Sequence, residues 1–298
     1  MPFIIEKGKI QLMIVLRGRV GMTELKRRIM DAQTIVVKVG TSTITHANGS
    51  MDFHLTEKLV RVLADLRSDG KNIILVTSGA IGIGRFRMGI SDRPSSLPQK
   101  QALAAIGQVS LMHYYSKLFS EYDQIVAQVL ITRDVVDDEQ KKQNAYNTFC
   151  TLLDYGVIPI VNENDTVATE EIEPIFGDND TLSAVVAELI GADLLILLSD
   201  IEGLYDKNPK TNDDAKLIPI IYDVCNQVIE GVEGTNSDLG TGGMKTKISA
   251  ARICCAAGIP MIITNGEDPD HIYEILEGKD VGTLFVPNKD KFLERLAR

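Results

Sequence analysis

After Gln33 this chain alternates short β-branched runs with amphipathic helical patterns, and such an alternation can bury its apolar residues in few ways. Candidate strands are Thr34–Val39, Asn72–Thr77, Gln124–Ile131, Val157–Val161, Asp193–Ser199 and Ile259–Thr264. Candidate helices are Thr56–Ser68, Gln99–Ser120, Lys141–Tyr155, Thr181–Ile190 and Met244–Ala257. In the first helix Leu59, Leu63 and Leu66 fall on one face and Gly70 supplies the stop; in the last, Ile248, Ala251 and Cys255 share a face ahead of Gly258. Strands alternating with helices pair in parallel and are covered on both sides. The fold class expected is therefore α/β, a mostly parallel central sheet with helices on both faces, a three-layer αβα sandwich. No internal repeat or low-complexity linker interrupts the pattern, so residues 33–298 are read as one domain.

In open sheets of this class ligands sit beyond the carboxyl ends of the strands. The unusual residues of this chain collect there: Gly40-Thr41-Ser42, Ser78-Gly79, Asn162-Glu163-Asn164-Asp165 and Asp200-Ile201-Glu202-Gly203 each follow a candidate strand. Two of the junctions are built for anions. Gly240 to Lys247 is a glycine cluster running into a helix with a lysine one turn inside it, and Ser78 to Gly84 repeats the design after the second strand. Glycines turn backbone N–H groups toward an anion and a helix N-terminus adds more, with a favourable dipole. Two such junctions point to a phosphorylated ligand. Neither the dinucleotide pattern G-x-G-x-x-G after the first strand nor the P-loop pattern G-x-x-x-x-G-K-[ST] is present, which disfavours a dehydrogenase and a P-loop NTPase.

Composition narrows the partners. Lys+Arg 31 against Asp+Glu 41 gives a net charge of −10, which opposes nonspecific attraction to nucleic acid or to an anionic membrane and leaves a small molecule as the expected ligand. Cys150, Cys225, Cys254 and Cys255 form no C-x-x-C pair and read as reduced thiols of a cytoplasmic protein. His46, His54, His113 and His271 lie outside every motif and read as surface or packing residues. The first thirty residues carry a local excess of +5 and an apolar stretch, Ile10 to Leu16, far short of a membrane span. Residues 1–32 are set outside the fold as a basic extension, either an accessory arm or residues ahead of a later start at Met22 or Met30.

The motifs, taken in order, closely resemble the amino-acid kinase family. They are Val37 to Ser42, Val76 to Ile81, Asn162 to Asp165, Phe176 to Ala184, Ser199 to Tyr205 and Gly240 to Lys247, and the resemblance spans Gln33 to Lys289. Ser199 departs from the threonine usual before Asp200 but keeps the hydroxyl. The branch most resembled phosphorylates a side-chain carboxylate: γ-phosphoryl transfer from ATP to L-glutamate, the first step of L-proline synthesis. The chain stops at Arg298, and a form without the RNA-binding-like C-terminal PUA domain of many such members is expected.

The resemblance implies roles by position. Lys38, Asp180 and Lys247 are the catalytic residues, the aspartate holding both lysines. Ser78, Gly79, Ala80, Asp165 and Asn179 contact glutamate. Lys38, Ser199, Asp200, Thr241, Gly242, Gly243, Met244, Lys245, Thr246 and Lys247 line the ATP segments, with Tyr205 to Pro209 shaping the adenine pocket. No protein residue ligates metal directly; Mg²⁺ comes with ATP, with Asp178 and Asp180 behind it. L-proline as feedback inhibitor, a downstream reductase taking the glutamyl phosphate, and a homo-oligomer, dimer or tetramer, complete the implied partners. The chemistry agrees with the residues, since a carboxylate acceptor is already ionised at neutral pH and needs no general base. Other acceptors, such as aspartate, acetylglutamate, uridylate or carbamate, share the lysine and glycine motifs, and a catalytically silent sensor on the same fold is the rival from another class.

Overall fold

The computed structural model of the protein describes residues 21–132, 135, 137–167, 179–209, 211–222, 224 and 243–296. In chain order the elements are α1 (Met22–Met30), β1 (Thr34–Val39), α2 (Thr41–Ile44), α3 (Phe53–Ser68), β2 (Asn72–Thr77), α4 (Ala80–Met88), α5 (Leu97–Ser120), β3 (Val126–Ile131) and α6 (Glu139–Asp154). There follow β4 (Ile158–Glu163), α7 (Asn179–Ile190), β5 (Leu194–Ser199), β6 (Ile220–Ile221), α8 (Met244–Ala256), β7 (Met261–Asn265), α9 (His271–Leu276), β8 (Thr283–Phe285) and α10 (Lys289–Leu296).

The described strands form one sheet in the order β3-β4-β2-β1-β5-β7-β8-β6. The run from β3 to β7 is parallel throughout, while β8 lies antiparallel to β7 and carries β6 beside it. Alternation along the strands sorts two apolar layers. Ile35, Val37 and Val39 of β1, with Ile73 and Leu75 of β2, pack among residues of α1, α3, α5 and α9. Val36, Ile74, Val76, Leu195 and Leu197 face the other way, against Phe149 of α6, Leu182 and Val186 of α7, and Ala250, Ala251 and Cys254 of α8. Side chains of successive strand residues point to opposite faces, so a strand covered on both sides is apolar at nearly every position. The expected three-layer α/β architecture is present.

Register brings the strand ends level. Val39 pairs with Thr77 on one side and with Leu198 on the other, and Ser199 with Asn265. The loops after β1, β2, β4, β5 and β7 therefore open on one rim. Helix starts extend past the expected ones where a cap reaches back: Asp52 accepts from the Leu55 N–H at 3.0 Å and starts α3 three residues before Thr56, and Asp138 accepts from Lys141 N–H at 2.9 Å ahead of α6.

Two expectations need correction. The fold does not start at Gln33: α1 buries Leu25 completely and Ile29 nearly so, and Arg28 holds Asp193 at 2.6 Å. The second Asp193 oxygen accepts from the N–H groups of Gln33 and Thr34, each at 3.0 Å, so that carboxylate ties α1, the start of β1 and the start of β5 together. Of the positive residues that set this segment apart, Lys26, Arg27 and Arg28 lie on α1 away from its buried Leu25 and Ile29; residues 1–20 lie outside the described ones. In α8 the buried thiol is Cys254, not Cys255, because the inward stripe runs Lys247, Ile248, Ala251, Cys254. Cys150 and Cys255 are half-buried and, like Cys254, are in no disulfide, and Cys225 lies outside the described residues.

Candidate active site

Lys38 stands between two core valines of β1 and so projects to the face that carries α7 and α8, where it is 6 % exposed. Asp180, fully buried in the first turn of α7, meets it: Lys38 Nζ lies 2.5 Å from Asp180 Oδ1. Lys247, in the first turns of α8, places its Nζ 3.0 Å from Asp180 Oδ2, and Thr246 Oγ1 lies 3.1 Å from the same oxygen. Two ammonium groups thus share one carboxylate where two helix N-termini converge above the end of β1. Burial alone would push the Asp180 carboxyl up, but the charges of Lys38 and Lys247 outweigh it and hold the group below its ordinary range. An ammonium has three N–H donors, so one carboxylate oxygen does not exhaust it. The arrangement is cationic, rigid and shielded from water, which is what a transferring phosphoryl group requires.

A second cluster adjoins it through the peptide bond between Asn179 and Asp180. Asn179 Nδ2 donates to Thr77 O at 2.7 Å, Ser78 Oγ at 2.8 Å and Asn162 Oδ1 at 2.9 Å. Asn162 Nδ2 in turn donates to Gln108 Oε1 of α5 at 2.9 Å. Gly79 turns the chain from β2 into α4 at φ +102°, a conformation L side chains rarely adopt, so Ala80 opens the helix with its N–H groups toward the rim. Asp165, two residues past β4 and half-buried, has its carboxyl pushed up to about 6 by burial.

The expected residues divide accordingly. Lys38, Asp180 and Lys247 come together as one group; Ser78, Asn179, Gly79 and Ala80 come together beside it. Asp165 sits on the same rim and makes no hydrogen bond to that group among the described residues. On the other side of β1, Ser199 Oγ donates to Asp200 Oδ1 at 3.2 Å, and Gly243, Met244 and the exposed Lys245 open α8. Tyr205 forms an isolated bridge with Leu217 near that edge. Thr241 and Gly242, together with Asp178, lie outside the described residues. His46, His54 and His113 are exposed, and His271 Nδ1 lies 3.1 Å from Thr264 Oγ1.

Sequence reasoning missed two amides, Gln108 and the side chain of Asn162. A signal existed for the first: Gln108 falls on the inward stripe Leu103, Ala104, Gly107, Gln108, Leu111, Tyr115 of α5, where every other long side chain is apolar or aromatic. Among the described residues no group of three or more His, Cys, Asp or Glu side chains is placed to hold a metal ion, and Asp180 is already committed to two lysines. The donors gathered here suit phosphate oxygens, so a divalent ion fits this site as a companion of those oxygens.

Comparison with known proteins gives consistent results. The pattern described as "Amino acid kinase family" matches residues 33–265. A glutamate 5-kinase from Clostridium perfringens is 50% identical over 267 residues, 89% of this chain and 99% of that protein. Glutamate 5-kinases from Clostridium acetobutylicum (52% over 266 residues, 89% and 99%) and Listeria innocua (49% over 270 residues, 90% and 98%) are similarly near. Among solved structures, carbamate kinase from Giardia lamblia bound to AMP-PNP aligns with a TM-score of 0.62 at 18% identity, covering 87% of this chain and 99% of that one. UMP kinase from Ureaplasma parvum aligns with a TM-score of 0.59 at 16% identity, covering 86% and 99%. At such identities the two structures speak for the fold alone.

Proposed function

The chain belongs to the amino acid kinase family, and from that premise we propose that it transfers the γ-phosphoryl group of ATP to the side-chain carboxylate of L-glutamate, giving L-glutamyl 5-phosphate for L-proline synthesis. The observation that carries the reading is the buried Lys38–Asp180–Lys247 group beside the Ser78–Asn179 cluster. Curated relatives about half identical over nine-tenths of the chain select glutamate among the family's acceptors.

In the proposed reaction a γ-carboxylate oxygen forms a bond to phosphorus while the bond from phosphorus to the β,γ-bridging oxygen breaks, and ADP leaves with that electron pair. No proton need move, in keeping with a site that lacks a histidine. Lys38 and Lys247 stabilise the equatorial oxygens from two sides, and Asp180 fixes both ammonium groups so that little reorganisation accompanies the transfer. Ser199, Asp200 and the α8 start from Gly243 to Thr246 hold the nucleotide. Mg²⁺ would be held by the nucleotide phosphates rather than by a cage of protein ligands, and would supply charge neutralisation there. Ser78 with the N–H groups of Gly79 and Ala80 takes the α-carboxylate; Asp165 takes the α-ammonium.

The remaining assignments follow from the product and the site. An acyl phosphate hydrolyses readily, so a reductase that consumes it is the fitting next step. L-proline shares the α-carboxylate and a cationic nitrogen with glutamate and would compete for the same groups. A homo-oligomer in the cytoplasm completes the proposal; no described helix is long and apolar enough to cross a membrane. The test is ATP consumption against a panel of carboxylate and phosphate acceptors with hydroxylamine present. Hydroxamate formed with L-glutamate and not with aspartate or acetylglutamate is expected; turnover without a trappable product, or none at all, overturns the reading.

A further inference from the structure

Side-chain amides can present either an oxygen or an N–H₂ group, and what a ligand meets depends on which way the amide is held. Four linked groups settle that question in this protein. Asn162 Oδ1 accepts from Glu163 N and from Asn179 Nδ2, both at 2.9 Å, and its Nδ2 donates to Gln108 Oε1 at 2.9 Å, so the backbone N–H and Gln108 hold the amide the same way round. Asn179 Nδ2 is thereby committed to Asn162, Thr77 and Ser78, and among the described residues Asn179 Oδ1 has no hydrogen-bond partner although it is buried. The chain therefore ends in an unmatched acceptor. An acceptor attracts a cation and repels a carboxylate.

We infer that Gln108 is a positioning residue that, with the Glu163 N–H and the Thr77 carbonyl, holds the polarity of this amide chain, so that Asn179 offers an oxygen to the α-ammonium of the amino-acid substrate. This rests on the proposed glutamate reading. Packing does not account for an amide at this position. The Gln108 side chain is 8 % exposed in an apolar stripe, and among the described residues its own buried Nε2 has no partner, an energetic cost that an aliphatic residue would avoid. Its neighbour anchors it. A Cβ on Gly107 would lie 1.7 Å from Ala80 O and one on Gly84 2.0 Å from Leu103 O, so α5 crosses α4 at backbone contact beside the substrate-facing turn.

The test compares Gln108→Met, which removes the acceptor at similar length, with Gln108→Glu, which keeps it, measuring KM for glutamate, KM for ATP and inhibition by glutarate, which lacks the α-ammonium. For the methionine variant the expected result is a rise of roughly tenfold or more in glutamate KM, with ATP KM and glutarate inhibition within about twofold of wild type. The glutamate variant should stay near wild type. An unchanged glutamate KM, an equal loss for glutarate, or a glutamate variant no better than the methionine one overturns the inference. If the methionine variant does not fold, Gln108→Asn, whose amide is one methylene short of Asn162, is judged by the same criteria. Wild-type protein that gives no hydroxamate with glutamate overturns the underlying reading, and this inference with it; hydroxamate formation with an unaffected methionine variant overturns the inference alone.

Discussion

A carboxylate wedged between two buried ammonium groups has a proposed role in both stability and chemistry, and substitutions at the three positions should separate those contributions. Lys38→Ala or Lys247→Ala removes a proposed donor to the phosphoryl group and should cut kcat by about a hundredfold or more while glutamate binding at equilibrium is largely retained. Unchanged kcat would remove that lysine from the mechanism. Asp180→Ala removes the carboxylate that two buried cations share and should cost about 3–5 kcal/mol in denaturant unfolding as well as activity. Because the Asp180 carboxyl is held below its unfolded value, its stabilisation is present at neutral pH and is lost only as pH falls through that depressed value. Asp165 behaves oppositely. Its carboxyl is raised to about 6, and only the ionised form can hold an ammonium, so kcat/KM for glutamate should fall about tenfold per unit as pH drops below that value. In Asp165→Asn the dependence should disappear together with most of the affinity for glutamate and little of that for ATP. A profile unaltered by the substitution would assign the titration to another group.

At the scale of elements, what was legible in the sequence was what is driven by burial. The parallel strands β1, β2, β4, β5 and β7 were readable because a strand covered on both faces is apolar at consecutive positions, and β1 and β2 fall where expected. The two-residue β6 and three-residue β8 carry too few residues for any period to show. Helix α4 was hidden by Gly82 and Gly84, which read as loop, yet Gly84 is demanded by the close crossing with α5. The triad was legible by resemblance, whereas the Gln108–Asn162 contact joins residues 54 apart in sequence and left no local trace beyond one polar residue in an apolar stripe. Helix α1 gives a clean stability test. Leu25→Ala should lower the unfolding free energy by about 2–5 kcal/mol with glutamate and ATP KM unchanged, since the side chain is fully buried on the face of the sheet remote from Asp180. A change in either KM would mean that α1 reaches the site.

For the molecule as a whole, all the parallel strands from β3 to β7 release their chain toward one rim, so the proposed substrates and the proposed inhibitor would meet there. Initial rates over a grid of glutamate and proline concentrations should show proline raising the apparent glutamate KM at constant kcat; a fall in kcat at unchanged KM would place proline elsewhere. The face-by-face alternation of β1 has a consequence of another kind. Lys38 lies between Val37 and Val39, each locked in register with neighbours on both sides. A slip of one residue would drive an ammonium into the layer of α3 and α5 and bring a valine to the phosphoryl rim. The strand thus inspects its own alignment: a misregistered chain is at once unfoldable and inert, and single-residue insertions or deletions between Thr34 and Val39 should yield no partly active enzyme, only empty lanes on a soluble-expression gel.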